Sequence, residues 1–196
     1  RPVLGLTAND FELRDNGVVQ RVTSSSLADV PLAVLLALDT SSSVEGGTLG
    51  NLKDGAESAL RLLKPQDRAA LLAFANSIGL VAPWGASQGQ LLAAIGAAKA
   101  GGTTSLQDAA FSAMTLRHDA TGYRNLVILF SDGADTSSWL PASAVLDKAR
   151  RADSVVYSVL FSSRGVLVLP PDGKLHYRSG IELSPPQVRS EKASTP

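Results

Sequence analysis

The chain has 196 residues, 44% hydrophobic and 18% charged, which suits one domain with a buried core and a small appendage. Eighteen basic residues balance eighteen acidic ones, so no net charge draws the protein toward nucleic acid or an anionic membrane. The absence of cysteine excludes disulfides, thiolate metal sites and cysteine nucleophiles, and no apolar run reaches the roughly 18 residues that span a bilayer. Aromatics make up only 5%, so Leu, Val, Ile and Ala must build the core. The sequence opens at Arg1 without a methionine or a charged-then-apolar leader, the pattern expected of a fragment or a processed chain.

The first 30 residues read as a β-hairpin and a linker. Phe11 and Leu13 alternate with polar residues, Asp15-Asn16-Gly17 supplies the turn, and Val18 to Val22 returns. From Pro31 the pattern changes to buried strands alternating with amphipathic helices. "LAVLLALD" (32–39) is a continuous apolar run of strand length, as expected when both faces of a sheet are covered. A helix follows with Leu49, Leu52, Ala56, Leu60 and Leu63 on one face, and Pro65 ends it. "RAALLAFAN" predicts a strand with "GLVAPWG" as its hairpin partner; "QLLAAIGAAKA" and "SLQDAAFSAMTLRH" predict two helices separated by a Gly-Gly turn. "NLVILFSD" (125–132) is a second apolar strand ending in an acid. "PASAVLDKARRAD" is a helix with proline near its start, and "SVVYSVLFS" is a third buried strand. The tail, 163–196, reads as a hairpin at "PPDGKLHYRSG" followed by a Pro/Ser-rich mobile end. Together these predict an α/β fold, a doubly wound and mostly parallel sheet flanked by helices, with an N-terminal β-hairpin.

Ligands of open α/β sheets sit at the carboxyl ends of the strands. Two predicted strands end in aspartate there, at Asp39 and Asp132, and the loop "AGGTTSLQD" brings Thr103 and Thr104 after paired glycines. After Asp39 come four hydroxyls, and in Asp39-x-Ser41-x-Ser43 alternate residues can turn toward one point. An all-oxygen set without histidine or cysteine suits a hard cation, Mg²⁺ above all, with Mn²⁺ or Ca²⁺ as alternatives. Neutral hydroxyl ligands leave such a cation poorly neutralised and ready to accept a carboxylate from another molecule.

Asp39-x-Ser41-x-Ser43, the Gly-Gly-Thr-Thr loop and Ser131-Asp132-Gly133, in that order, resemble the von Willebrand factor A domain and its metal-ion-dependent adhesion site. The leading "LTANDFELRDNGVVQRV" is similar to the element that precedes this domain in bacterial, Acidobacteria-type relatives. The resemblance places the domain at 31–162. It implies direct coordination by the Ser41 and Ser43 hydroxyls, a role for Thr104 in some states, and Asp39 and Asp132 acting directly or through water. Thr104 is preferred to Thr103 because it stands four residues before Asp108-Ala109, as family loops do. The resemblance further implies a protein partner that supplies a carboxylate, export from the cell, and a final helix that this sequence lacks.

Other readings of the same residues compete. Thr104-Ser-Leu-Gln107 fits a helix capping box, which would occupy the threonine without a metal. Asp135 and Glu45 are candidates to support the rim, Asp108 reads as a helix-start residue, and Trp139, just past Asp132, is a candidate partner surface. Trp84 reads as a packing anchor, and His118 and His176 as surface residues in polar surroundings. A Mg²⁺-dependent phosphoryl-transfer or hydrolytic enzyme is the alternative from another class, although the chain has no Walker-type loop and no Asp-x-Asp pair. A structural assembly module with a vestigial site is the third reading. Oligomeric state is not legible in the sequence.

Overall fold

The computed structural model describes residues 6–22, 30–118, 120–161 and, for the backbone alone, 162 and 165–169. Backbone contacts divide the chain into two units, 1–30 and 31–196. In the first, β1 (Leu13–Asp15) and β2 (Val18–Gln20) form the predicted hairpin. Asn16 and Gly17 both take positive φ, 48° and 83°, as a tight two-residue turn requires. Leu13, Val18 and Val19 are all exposed, so the alternation seen in the sequence marks no buried face here.

The second unit is a six-stranded sheet with order β5-β4-β3-β6-β7-β8. β3 (Leu32–Asp39), β4 (Arg68–Phe74), β6 (Arg124–Ser131) and β7 (Val155–Ser162) are mutually parallel, while β5 (Ile78–Ala82) and β8 (Gly165–Leu169) run antiparallel at the two edges. β3 is central because its apolar run can be buried on both sides. Val34, Leu36 and Leu38 face one layer, α1 (Gly47–Arg61) and α2 (Gln88–Ala97), where Leu52, Ala56, Leu60, Leu91 and Ile95 meet them. Leu35 and Ala37 face the other, against Ala109, Ala113 and Met114 of α3 (Leu106–Thr115). α4 (Ala142–Arg151) packs beside α3 and buries no residue fully.

The structure corrects some details of the sequence reading. β7 is half-buried for most of its length, because it has only the loosely seated α4 on one side and lies next to the edge. α2 carries the reciprocal capping box that the sequence suggested for Thr104–Gln107: Ser87 Oγ accepts from Gln90 N at 3.3 Å, and Gln90 Oε1 accepts from Ser87 N at 2.8 Å. His118 is not in polar surroundings; its ring lies 5.2 Å from that of Trp84 and 4.9 Å from that of Tyr123. Trp84 is the packing anchor expected, its indole donating to the Leu116 carbonyl at 3.0 Å. The tail hairpin and His176 lie outside the described residues.

Because Leu36 is fully buried at the middle of the central strand, Leu36→Ala should cost about 2–5 kcal/mol in urea unfolding. Leu80→Ala, on the exposed edge strand, should cost well under about 1 kcal/mol by the same measurement.

Candidate functional site

β3 and β6 are in register, Leu38 opposite Phe130, so both strands deliver their last residues to the same rim. Asp39 ends β3 with no exposed surface. Its Oδ1 accepts from Ser41 N at 2.9 Å, closing a short turn, and its Oδ2 accepts from Ser131 Oγ at 2.7 Å, across to β6. Ser131 Oγ also accepts from Gly133 N at 3.0 Å. Asp132 Oδ1 accepts from Ala134 N at 3.0 Å, so the two strand-end acids organise their own loops in the same manner.

The 98–105 loop is laced to both. Gly101 N donates to Thr40 O at 2.8 Å, and Ser42 N donates to Gly102 O at 2.9 Å. Gly102 has φ +82°, a conformation that strains other residues, and a Cβ there would stand 2.5 Å from Asn76 Oδ1, so the Asn76 side chain would have to move aside for any substitution. On the far side Thr104 N donates to Thr136 Oγ1 at 2.9 Å, while Thr104 O accepts from Thr136 N and Ser137 N at 2.9 and 3.0 Å. These bonds use only the Thr104 backbone and leave its hydroxyl out. Thr104 is buried and Thr103 exposed.

The Ser41 and Ser43 hydroxyls share a hydrogen bond, Oγ to Oγ 2.9 Å. Six oxygens about 2.1 Å from a magnesium ion stand about 3.0 Å from their nearest neighbours, and the wider shell of calcium spreads them further. The hydrogen-bonded hydroxyls thus already stand at a separation compatible with one edge of a magnesium octahedron. Among the described residues, no group of three or more His, Cys, Asp or Glu side chains could hold a metal. A cation at this rim would therefore depend on the hydroxyls as well as the two acids.

The remaining expected residues divide. Asp135 turns to α3: its Oδ2 accepts from Gln107 N at 2.9 Å and from Ser138 Oγ at 2.7 Å. It thus caps α3 from 28 residues away, the work that the capping-box reading gave to Thr104. Asp108 reaches back, its two oxygens accepting from Trp139 N and Leu140 N, both at 2.9 Å. Glu45 is exposed and joins only through its backbone, donating to Ser42 O at 3.2 Å. Trp139 is 94% exposed. Sequence reasoning did not single out Ser131, Thr136 and Ser138 as individual contributors. The one available signal was that Thr136-Ser137-Ser138 follows an acid just as Thr40 to Ser43 do.

A family model described as von Willebrand factor type A domain matches residues 34–134, more than half the chain. The chain belongs to the von Willebrand factor type A domain family. Its fold is shared with BatB of Bacteroides thetaiotaomicron, a conserved hypothetical protein (TM-score 0.56, 17% identity, 65% of each chain covered). It is shared also with a von Willebrand factor type A protein of Catenulispora acidiphila (TM-score 0.57, 18% identity, 69% of this chain and 34% of that one). A third neighbour is proximal thread matrix protein 1 of the mussel byssus, in a form with a zinc-occupied metal-ion-dependent adhesion site motif (TM-score 0.56, 15% identity, 66% and 38%). The chain thus spans under two thirds of each of these proteins, and identities this low speak to fold alone. No curated protein matches the sequence.

Ser131→Ala would strip the buried Asp39 of one partner and should cost about 1–3 kcal/mol in chemical unfolding, whereas Ser42→Ala, at an exposed position, should change little. Partial burial pushes the Asp135 carboxyl up, but hydrogen bonds from Ser138, Gln107 and Ser137 outweigh it and hold the pKa below the usual 3.8. A lowered folded-state pKa gives stability that is present above the unfolded value and lost as pH falls through the folded one. Asp135→Asn should therefore lose less stability than wild type as pH falls below about 4.

Proposed function

We propose that the domain binds a protein partner through a divalent cation held at this rim by Asp39, Ser41, Ser43, Thr104 and Asp132, with Thr103 as the less favoured alternative to Thr104. The observation that carries the reading is the Ser41–Ser43 hydroxyl pair, 2.9 Å apart, beside a carboxylate that is fully buried and already anchored at both oxygens. Anchoring leaves each Asp39 oxygen a further lone pair while preventing the side chain from rotating away. Mg²⁺ is the cation that the all-oxygen donor set favours, with Mn²⁺ and Ca²⁺ as alternatives; the zinc in the mussel protein belongs to that protein. When bound, the cation would supply Lewis acidity toward one carboxylate of the partner. Asp135, Asp108, Ser131 and Thr136 act as positioning residues that hold the three loops in register.

A binding role is favoured over an enzymatic one. His118 donates its backbone N–H to Asn125 Oδ1 at 3.1 Å, which places it at the amino end of β6. The strand from Asn125 to Ser131 rises about 3.3 Å per residue, which sets that end roughly 20 Å from the acids. A histidine there cannot exchange protons with anything bound at the rim. Export belongs to the same proposal and rests on the family resemblance. Among the described residues no helix is long and apolar enough to cross a membrane.

Thermal unfolding in EDTA and then in rising Mg²⁺, Mn²⁺, Ca²⁺ and Zn²⁺ tests the reading. Saturating cation should raise the midpoint, by about 2.7 kcal/mol of stability at a hundred times Kd. Ser43→Ala takes from the buried Ser41 hydroxyl its hydrogen-bond partner, so its midpoint in EDTA should fall slightly, by about 0.5–1.5 kcal/mol of stability, while most of the cation-induced rise disappears. Asp39→Ala should lose the rise too, but with lower stability in EDTA, because Ser41 N and Ser131 Oγ lose their acceptor. A wild type indifferent to all four ions would leave a structural module in its place.

A further inference from the structure

The cation proposal calls for a partner carboxylate, yet the rim itself is acidic. Asp39, Asp132, Asp135, Asp108 and Glu45 are carried on or beside the three loops 40–46, 98–105 and 132–141, and Lys99 is the single basic residue in those loops. A divalent cation would offset only part of that charge. A partner whose carboxylate sat in an acidic surround would meet net repulsion over a distance within the roughly 8–10 Å that physiological salt leaves unscreened. The partner's carboxylate must therefore be set among basic residues.

Trp139 gives those residues a landing place. Its indole is 94% exposed, the most exposed large hydrophobic side chain among the described residues. Its backbone is nevertheless held: Asp108 Oδ2 accepts from Trp139 N, and Asp108 Oδ1 accepts from Leu140 N. Ser138, immediately before it, is bonded to Asp135 and to the first turn of α3. A tryptophan left in water on a loop ordered by this many bonds is poised to bury its face against a partner, and an indole face attracts lysine or arginine.

We propose that the partner presents an acidic residue flanked by lysine or arginine, the acid meeting the cation and a flanking cation stacking on Trp139. This rests on the cation-binding reading above and adds to it the sign of the partner's surround and the residue that reads it.

The test uses three short peptides in Mg²⁺: Gly-Lys-Gly-Asp-Gly-Lys-Gly, the same with both lysines changed to glutamate, and the same with the aspartate changed to asparagine. Binding is followed by the two indole N–H resonances in a nitrogen-15 spectrum, up to 10 mM peptide. Trp84, bonded to Leu116 O, serves as the internal control. The lysine peptide should move the Trp139 signal in Mg²⁺ and not in EDTA, and bind at least tenfold tighter than the glutamate peptide at low salt. That ratio should shrink as salt rises, the asparagine peptide should bind at least tenfold more weakly, and Trp139→Ala should lower affinity severalfold while keeping the Mg²⁺-induced midpoint shift. Equal or tighter binding of the glutamate peptide overturns the proposal, as does binding that survives EDTA, unchanged affinity in Trp139→Ala, or no binding by any peptide to a domain that Mg²⁺ stabilises. A domain that Mg²⁺ does not stabilise would instead sink the cation reading beneath it, so the two failures are separable.

Discussion

A carboxylate with no access to water sits at the end of the central strand, and the rim is organised around it. Asp39 is tolerable there because two donors meet it, the Ser41 amide from its own loop and the Ser131 hydroxyl from the neighbouring strand. An ionised carboxylate in that position without partners would cost several kcal/mol, on the order that makes burial prohibitive. The parallel pairing of β3 with β6 is what brings the serine to it, so strand order and charge satisfaction are one arrangement.

From this anchor the loops follow in sequence. The turn closed by Asp39 points Thr40 O and Ser42 N at the glycine pair 101–102, and the glycines bring Thr104 to the loop after β6. Asp135 then ties that loop to the start of α3, and Asp108 in α3 ties it back. Beyond the Asp39–Ser131 pair, most of these connections are hydrogen bonds to a backbone group at or near a strand or helix end that would otherwise lack a partner. Three segments distant in sequence thereby behave as one ordered surface, which is the condition for a small donor set to hold a cation at fixed spacing.

The far side of the sheet is built differently. α4 buries nothing fully, and β7 is half-exposed beside it, whereas β3 has a helical layer pressed onto each face. The organised part of the domain is thus the half that carries the rim loops, where α1, α2 and α3 pack on β3, β4 and β6. Side chains held by neighbours on that half are the ones whose positions the site relies on.

The sequence by itself determined the strands and helices of the second unit as far as β7, because a doubly buried strand needs an unbroken apolar run and an amphipathic helix needs its stripe; the edge strand β8, inside the stretch read as a tail, it did not. It also determined that acids and hydroxyls would cluster at one rim, since strands of a parallel sheet all end on the same side. The Asn16-Gly17 turn was equally legible, from local φ requirements alone. What tertiary structure decided were the partners. That Thr104 lies buried and Thr103 exposed, that Asp135 rather than Thr104 caps α3, that Ser131 satisfies Asp39, and that His118 packs between Trp84 and Tyr123 all depend on which distant segment arrives at a given backbone group. Periodicity and local propensity carry no information about that, because a hydroxyl that can bond its own turn can equally bond a loop tens of residues away.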